Sequence, residues 1–486
     1  MIRNRMLWTC VAMGASVAAT GQSREENWDR CTSVNAEISI AGCSALINSG
    51  QELPATLSII HYNLGASFQE KKQYDAALKN FDEAIRLNPN FAQALNGRGA
   101  AYLEAGNYAK AIQDFSTAVQ LNSFYSIAYF NRGRAYSKQG DYDRAIEDYN
   151  HDLKLVPTHA DGFAERGDAY RMKHQDDLAL SDYVEALHLD PNLAQAALGR
   201  ALIFAAKGQD EQAISDLDLY LKLKPADATG FASRGDAYWR QGQYEQAIAD
   251  YNQALQINPI DSELFRTLGM DYTKLGEYDN AVTSFGRVLE LRPQDADSYM
   301  DRGLAYFEKG QYELAIADFD KTGTLAPNNQ QALFARGCSH LMEAQASAAA
   351  EDFRRTIATD PKSVTSVYAA LWLHLAESQL QTDDAAELGL AAKATDLSQW
   401  PGPVLKMDLR EATDADVTAA AANAGAAMQK KETCEANFYI GEDANLNQQR
   451  DPAIARLKAA QDGCAKDSVE YRAAVAELRR LESESL

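Results

Sequence analysis

Small, large and polar positions recur along the chain with a period of 34 residues, and nine such windows tile residues 58–363 without an insertion. Position 20 of the window is alanine in all nine, position 8 is glycine in eight, and position 11 is Phe or Tyr in eight. Position 32 is proline in eight windows, and proline ends a helix because it lacks an N–H group and collides with the preceding turn. The windows begin at Ser58, Ala92, Ser126, Ala160, Ala194, Ala228, Ser262, Ala296 and Gln330.

This pattern predicts two helices and a short turn in each window. Small residues at positions 8 and 20 allow the two helices to approach closely, and large aromatic residues at positions 11 and 24 fill the space around them. One hairpin cannot bury its apolar face alone, whereas stacked neighbours can. The expected fold is therefore all-α, a right-handed solenoid with a concave inner face and helical caps at both ends.

The motif resembles the tetratricopeptide repeat (TPR), and the resemblance covers residues 58–363. It implies a right-handed TPR superhelix that binds proteins or peptides and that needs no cofactor. In this repeat type, positions 2, 5, 9 and 12 of the first helix line the concave face.

Position 7 of the window departs from the usual aliphatic residue and carries arginine in seven windows. The same seven windows carry aspartate at position 23, while the windows with Leu64 and Leu268 at position 7 have Asn80 and Ser284 there. We expect a planar Arg–Asp contact between the two helices of each of these hairpins.

Both ends of the array differ from its middle. Residues 22–57 are predicted to form a helical cap, and residues 364–433 leave the repeat register as an irregular helical segment. A tenth repeat is expected at 434–467, because Gly441 and Ala453 fall at positions 8 and 20, and residues 468–486 are expected to form a capping helix.

The C-terminal part also resembles one branch of the family, the new-lipoprotein-I type of bacterial TPR protein. The resemblance rests on the segments Leu371–Glu377, Gln399–Pro401, Asn437–Gly441 and Val469–Leu478. It implies an envelope adaptor that holds murein hydrolases and a periplasmic protease together.

Residues 1–21 are predicted to be a cleaved secretion signal. Arg3 and Arg5 form a basic start, and the apolar or small run from Met6 to Ala19 is too short to span a bilayer. No lipid anchor is expected, because Cys10 lies inside this run behind Leu7-Trp8-Thr9. The predicted location is the periplasm, with no direct membrane span.

In that oxidising compartment, two disulfides are expected. Cys434 and Cys464 occupy positions 1 and 31 of the tenth repeat, where the start of one helix meets the end of its antiparallel neighbour. Cys31 and Cys43 form the second predicted pair, which leaves Cys338 as a free thiol.

Charge and motif content narrow the function classes. The chain has 47 Lys and Arg residues against 69 Asp and Glu residues, a net charge of −22, which argues against nucleic acid as the main partner. The zinc-protease, P-loop, nucleophile-elbow and complete dinucleotide motifs are absent from the sequence, and its seven histidines are scattered without ligand spacing. We therefore expect no catalytic, cofactor or metal site.

Candidate binding residues come from the inner-face positions. In repeats 4 to 6 these positions are mixed: Asp168, Arg171, Leu202, Asp236 and Trp239. In repeats 8 and 9 they are apolar, and apolar groups on an open groove usually mark an interaction site. The apolar set is Met300, Leu304, Phe307, Phe334, Cys338 and Leu341. The alternative is that the segment after Val364 folds back and buries this set, in which case the ligand site moves to Arg171, Asp236 and Trp239.

The sequence therefore predicts a non-catalytic scaffold that binds other proteins or peptides in the bacterial cell envelope, among them hydrolases or a protease. Two alternatives stay open. One is a chaperone-type clamp for peptide tails, for which Asn63, Asn96 and Asn131 are available but the usual lysines are missing. The other is an envelope enzyme with a repeat domain.

Overall fold

The computed structural model describes residues 22–382, 385–394, 397–466 and 468–483. These residues form 27 α-helices and contain no β-strand. The predicted secretion signal, residues 1–21, lies outside the described part of the chain.

Each of the nine windows consists of a first helix, called helix A, and a second, called helix B. In eight windows helix A begins at the first position of the window, and in the first it begins four residues earlier. The A helices are α3 (Pro54–Glu70), α5 (Ala92–Glu104), α7 (Ser126–Lys138), α9 (Ala160–Met172), α11 (Ala194–Ala206), α13 (Ala228–Arg240), α15 (Ser262–Lys274), α17 (Ala296–Glu308) and α19 (Gln330–Met342). The B helices are α4 (Tyr74–Leu87), α6 (Tyr108–Leu121), α8 (Tyr142–Leu155), α10 (Asp176–Leu189), α12 (Asp210–Leu223), α14 (Tyr244–Ile257), α16 (Tyr278–Leu291), α18 (Tyr312–Leu325) and α20 (Ala346–Thr359).

The flanking helices extend this arrangement at both ends. Two helices precede the array, α1 (Arg24–Cys31) and α2 (Ala36–Ser49). Those that follow it are α21 (Val364–Leu380), α22 (Ala385–Ala394), α23 (Gly402–Asp408), α24 (Asp414–Ala422), α25 (Gln429–Leu446), α26 (Arg450–Gly463) and α27 (Val469–Ser483).

The helices fall into two compact units, α1–α14 and α15–α27. Within each unit, every helix B of the array packs against helix A of its own repeat, and neighbouring A helices also contact each other. Every helix B except α14, the last helix of the first unit, packs against the following helix as well. Because each repeat buries its apolar side only against its neighbours, this is the packing of an all-α TPR solenoid.

Close packing inside each hairpin depends on the glycine at position 8. A Cβ atom built on Gly99 would lie 2.7 Å from the ring of Phe115, the position-24 residue of the same repeat. Seven other repeats repeat this contact, and in repeat 5 the two positions are Ala201 and Leu217. The larger residue at position 8 therefore occurs where position 24 carries a smaller, non-aromatic side chain.

Position 15, in the turn between helices A and B, has a left-handed backbone in all nine windows and at the corresponding position of residues 434–467, with φ between 56° and 80°. Six of these residues are glycine, which adopts this conformation without steric penalty. The other four are Lys72, His174, Ala344 and Gln448. Gln448 shows that the turn in residues 434–467 has the same backbone as the turns of the array.

Ala344→Gly is expected to stabilise the second unit by roughly 0.5–1 kcal/mol, because a left-handed residue with a Cβ atom is strained. Urea denaturation followed by circular dichroism measures the change. Gly310→Ala, at the same position of repeat 8 with φ 71°, is the matched control and should lower stability by a similar amount. Equal stability of all three proteins would contradict the strain.

The predicted Arg–Asp contacts are present in all seven repeats, and each is bidentate. Nε donates to one carboxylate oxygen at 2.7–2.8 Å, and Nη2 donates to the other. The aspartates are buried. The pairs are Arg98–Asp114, Arg132–Asp148, Arg166–Asp182, Arg200–Asp216, Arg234–Asp250, Arg302–Asp318 and Arg336–Asp352.

Five of these arginines make a third bond that the sequence did not predict. Nη1 of Arg98 donates to Asp82, at position 25 of the preceding repeat, over 2.7 Å. Arg132 reaches Ser116 in the same way over 3.1 Å, and Arg166 reaches Asn150 over 2.6 Å. Arg234 and Arg336 complete the set, with Asp218 and Asp320 as their partners. Each such guanidinium therefore joins three helices from two adjacent repeats.

Cysteine geometry agrees with the predicted disulfides. Cys31 and Cys43 are joined by a disulfide with a Cα–Cα distance of 4.4 Å, as are Cys434 and Cys464 with a distance of 5.0 Å. Cys338 is a free thiol and is buried. The second bridge joins the start of the tenth repeat, within α25, to the residue that follows α26.

No helix in the described ranges is long and apolar enough to cross a membrane.

Candidate protein-binding surface

The apolar inner face of repeats 8 and 9 is covered by the C-terminal helices of the second unit. Met300, Phe307 and Cys338 are buried. Leu304, Phe334 and Leu341 are half-buried against the same apolar cluster, which extends through α21 to α27. Of the two alternatives that the sequence left open, the structure therefore has the fold-back, and these six residues do not line an open groove.

The side chain of Arg472, on α27, binds the C-terminal end of α17 and so keeps the covering helices in place. Nη1 of Arg472 donates to the carbonyl oxygens of Phe307, at 3.1 Å, and Glu308, at 2.9 Å, while Nη2 pairs with the Glu308 carboxylate. The guanidinium also lies over the Phe307 ring, 5.5 Å from its centroid. A cation at the carbonyl end of a helix satisfies backbone oxygens that have no partner in the helix itself.

The inner face of repeats 3 to 6, in the first unit, is different, because it is polar and organised by tyrosine hydroxyls. Tyr183, on helix B, donates its O–H to Asp168 over 2.6 Å, and Tyr251 donates to Asp236 over 2.9 Å. Tyr149 lies within 3.4 Å of Glu165 and 3.2 Å of the Ser137 hydroxyl. These hydroxyls reach past the position-8 glycine from one helix of the hairpin to the other.

The occurrence of these tyrosines follows the charge at position 9. Tyrosine stands at position 24 in repeats 3, 4 and 6, where position 9 is Arg134, Asp168 and Asp236. The other six repeats have Phe or Leu at position 24 and an apolar residue at position 9. The correlation is visible in the sequence, and it is the signal that could have located the polar surface before the structure.

Asp168 is the centre of the most connected part of this surface. Its second oxygen accepts from the side-chain amide of Gln195 at 2.6 Å, and Arg171 lies 3.6 Å from the first. On the neighbouring helix, Arg134 lies 3.6 Å from Glu165, and burial raises the pKa of the Glu165 carboxyl. The buried Nε of Arg171 has no partner among the described residues. The Asp168 and Glu165 carboxylates are thus held in fixed positions, while the Nε–H group of Arg171 is available as a hydrogen-bond donor.

Asp236, Trp239 and Leu202 continue the inner face toward repeat 6. Asp236 is exposed, and Trp239, one helical turn further along α13, is partly buried, with its ring 4.4 Å from the Tyr244 ring. Leu202, on α11, is half-buried and lies between Asp168 and Asp236 in the sequence. The sequence analysis named Asp168, Arg171, Leu202, Asp236 and Trp239 as inner-face residues but missed Arg134, Glu165 and Gln195.

The asparagines considered for a peptide-tail clamp are used within the fold. The Asn131 side-chain amide donates to the Asn96 side-chain oxygen over 3.1 Å, and Asn63 is buried. The described residues contain no group of three or more His, Cys, Asp or Glu side chains that could hold a metal ion.

Comparison with known proteins agrees with the repeat pattern. Tetratricopeptide-repeat family models match residues 62–126, 126–159, 228–261 and 296–329, and a TPR-repeat model matches 269–310. Three of these matches begin at the first residue of a window, at Ser126, Ala228 and Ala296. No curated protein matches the chain.

Among solved structures, the chain is similar to PilW, described as a widely conserved type IV pilus biogenesis factor. The identity is 18%, over 43% of this chain and 96% of PilW, with a TM-score of 0.40. For PilF of Pseudomonas aeruginosa the identity is 16%, over 42% of this chain and 92% of that one, with a TM-score of 0.39. YrrB, described as a TPR protein with an unusual peptide-binding site, is 23% identical over 38% of this chain and 94% of its own, with a TM-score of 0.33. These likenesses are partial and weak. The family matches, together with the 34-residue period and the paired helices, show that the chain belongs to the tetratricopeptide-repeat proteins.

Proposed function

We propose that the protein is a non-catalytic scaffold that binds an extended segment of a partner protein along the polar inner face of repeats 3 to 6. Tetratricopeptide repeats are protein-interaction modules, which supports binding rather than catalysis. The main support for placing the binding site here is that the hydroxyls of Tyr149, Tyr183 and Tyr251 form hydrogen bonds to charged side chains on the inner face. Phenylalanine at position 24 suffices for packing in five other repeats, so the hydroxyls serve the inner face and not the core.

The same surface favours a polar partner segment with charges of both signs. Glu165, Asp168 and Asp236 offer carboxylates, and Arg134 and Arg171 offer guanidinium groups, on the A helices of repeats 3, 4 and 6. Side chains already held by hydrogen bonds lose little further freedom on binding, which favours affinity. Trp239 adds a large, partly buried aromatic surface, the side-chain type most often found to anchor such contacts.

We further propose that binding takes place in the bacterial periplasm and that the partners are envelope hydrolases or a protease. Support comes from the predicted secretion signal, the two disulfides and the resemblance of the C-terminal part to the new-lipoprotein-I type. In this setting the scaffold brings enzymes together and performs no chemistry itself.

The test is capture by the purified protein from a periplasmic extract of its own host, with partners identified by mass spectrometry. Asp168→Asn with Asp236→Asn should weaken the capture of a specific partner at least about tenfold, because two fixed carboxylates are neutralised. The matched control, Asp75→Asn with Glu211→Gln, removes the same charge from exposed positions at the start of two B helices and should bind normally. Equal capture by both variants would contradict this surface. Hydrolysis of murein or peptides by the purified protein alone would instead favour the enzyme alternative.

A further inference from the structure

Two pairs of glutamates face each other between α25 and α27. Glu435 and Glu442 are seven residues apart on α25, and Glu470 and Glu477 are seven apart on α27, so each helix presents both of its carboxyl groups on one face. The charge of Glu435 acts on Glu470, and the charge of Glu477 acts on Glu442. Each of these two carboxyl groups of α25 is therefore close to a carboxyl group of α27, and the two pairs lie about two helical turns apart along the contact.

The first pair is enclosed in the interior of the second unit. Glu435 is 2% exposed and Glu470 is 5% exposed. One oxygen of Glu435 accepts from the Tyr368 hydroxyl at 2.8 Å and from the Trp400 indole N–H at 2.6 Å. The cation nearest to the pair is Lys431, whose Nζ lies 3.5 Å from Glu435 and whose side chain is largely in solvent.

The groups that face Glu470 are mainly apolar or acidic. Tyr439 and Glu435 contribute from α25, Tyr368 from α21 and the buried Cys338 thiol from α19, while Lys431 of α25 opposes them with a positive charge. Burial, followed by the charge of Glu435, raises the pKa of Glu470 to about 7. The Glu470 carboxyl therefore keeps its proton in mildly acidic solution, where an ordinary glutamate is ionised.

In the second pair, Glu477 makes the hydrogen bonds. It accepts from the Asn445 amide at 2.6 Å and from Arg480 at 3.0 Å, and Glu442 lies opposite it on α25. The Glu442 side chain is half-buried. Its loss of contact with water raises the pKa of its carboxyl to about 8, and the charge of Glu477 adds to the shift. Arg480 acts in the opposite direction and is the cation at this level.

We propose that these two carboxyl pairs make the contact between α25 and α27 a pH-sensitive latch, which controls access to the apolar inner face of repeats 8 and 9. When the pairs hold their protons, α27 is packed against α25, and Arg472 is hydrogen-bonded to the carbonyl oxygens at the end of α17. When both members of a pair are ionised, like charges are opposed in a poorly hydrated contact and the first turns of α27 separate. The covalent Cys434–Cys464 bridge keeps the end of α26 in place, so the movement begins after residue 464.

The direction of the pH effect follows from proton linkage. A carboxyl group with a raised pKa in the closed form binds a proton there that it releases on opening, so a higher pH favours the open form. The effect spans the range from the ordinary glutamate pKa, 4.5, to about 7 for Glu470 and to about 8 for Glu442. Above that range both forms are ionised and the opening constant should level off.

Hydrogen exchange of the full-length protein, followed by mass spectrometry and corrected for chemical exchange rates, measures the opening of α27. Between pH 6 and pH 7 the opening constant of amides 470–474 should rise at least about fivefold, as expected when one carboxyl group with a closed-form pKa of about 7 releases its proton. Amides of α5 to α8, in the first unit, are the internal reference and should keep constant protection. An unchanged opening constant in the wild-type protein would overturn the proposal, and this result needs no variant.

Variants distinguish the effect of the two carboxyl pairs from the effect of the Arg472 contact with α17. Glu442→Gln with Glu470→Gln, which imitates the protonated form of the two carboxyl groups whose pKa is raised, should flatten the pH profile and keep α27 protected at pH 8. Glu482→Gln is the matched control, because it removes a carboxylate of α27 that lies 3.4 Å from Lys458 and outside both pairs. Arg472→Ala should increase opening at every pH while preserving the slope. A double glutamine variant that keeps the wild-type slope would show that the pairs do not set the latch.

Discussion

Phe307→Asp is expected to lower the free energy of unfolding of the second unit by about 4 kcal/mol or more. Phe307 is 6% exposed, its ring lies 5.3 Å from the Tyr312 ring, and the Arg472 guanidinium covers it. The substitution removes this packing and places a carboxylate among the apolar groups that fill the closed inner face. Thermal and urea denaturation followed by circular dichroism should show a large loss.

Phe124→Asp is the matched control, because Phe124 is 80% exposed and loses little buried surface. Its Tm should stay within a few degrees of the wild-type value. If Phe307→Asp also left the Tm unchanged, the inner face of repeats 8 and 9 would be open in solution, and the apolar set would again be the leading binding surface.

Arg132→Ala should destabilise the first unit by about 3 kcal/mol, well above the effect of a surface ion pair. Asp148 is 3% exposed, and burial already raises the pKa of its carboxyl against the opposing effect of Arg132. Without the guanidinium, this carboxylate loses two hydrogen bonds, and Ser116 in the preceding repeat loses its partner. Urea denaturation of the full chain, monitored by circular dichroism, measures the loss.

The double variant Arg132→Leu with Asp148→Asn copies the residues that repeat 1 has at these positions, Leu64 and Asn80, and should recover much of the stability. Arg144→Ala removes an exposed arginine that pairs with Asp141 over 2.8 Å, and it should lower stability far less than Arg132→Ala does. Strictly additive losses in the Arg132–Asp148 cycle would mean that the two side chains do not interact.

Features that recur with the repeat were predictable from the sequence. Nine copies of one pattern give the position of each helix, and the joint occurrence of Arg and Asp at positions 7 and 23 predicted a contact that is present in all seven repeats. The pairing of Cys434 with Cys464 followed from the same register, because antiparallel helices bring positions 1 and 31 together.

Features that occur once were not predictable in the same way. Arg472 meets the carbonyl group of Phe307 across 165 positions of sequence, and no periodic signal reports this contact. The sequence indicated that repeats 8 and 9 are apolar on the inner face, but apolar side chains fit an open docking surface and a buried interface equally well. Only the path of residues 364–483 decides between them.

The third bond of the position-7 arginines also makes the junctions between repeats unequal. Among the described residues, Arg200 and Arg302 lack this bond, because position 25 of the preceding repeat is Val184 in one case and Gly286 in the other. In a linear array the population of partly unfolded forms depends on each nearest-neighbour interface separately. Under a stretching force, or during synthesis and degradation from one end, unfolding should pause at boundaries that lack this bond, among them those between repeats 4 and 5 and between repeats 7 and 8. The chain would then lose its structure in blocks of several repeats rather than one repeat at a time.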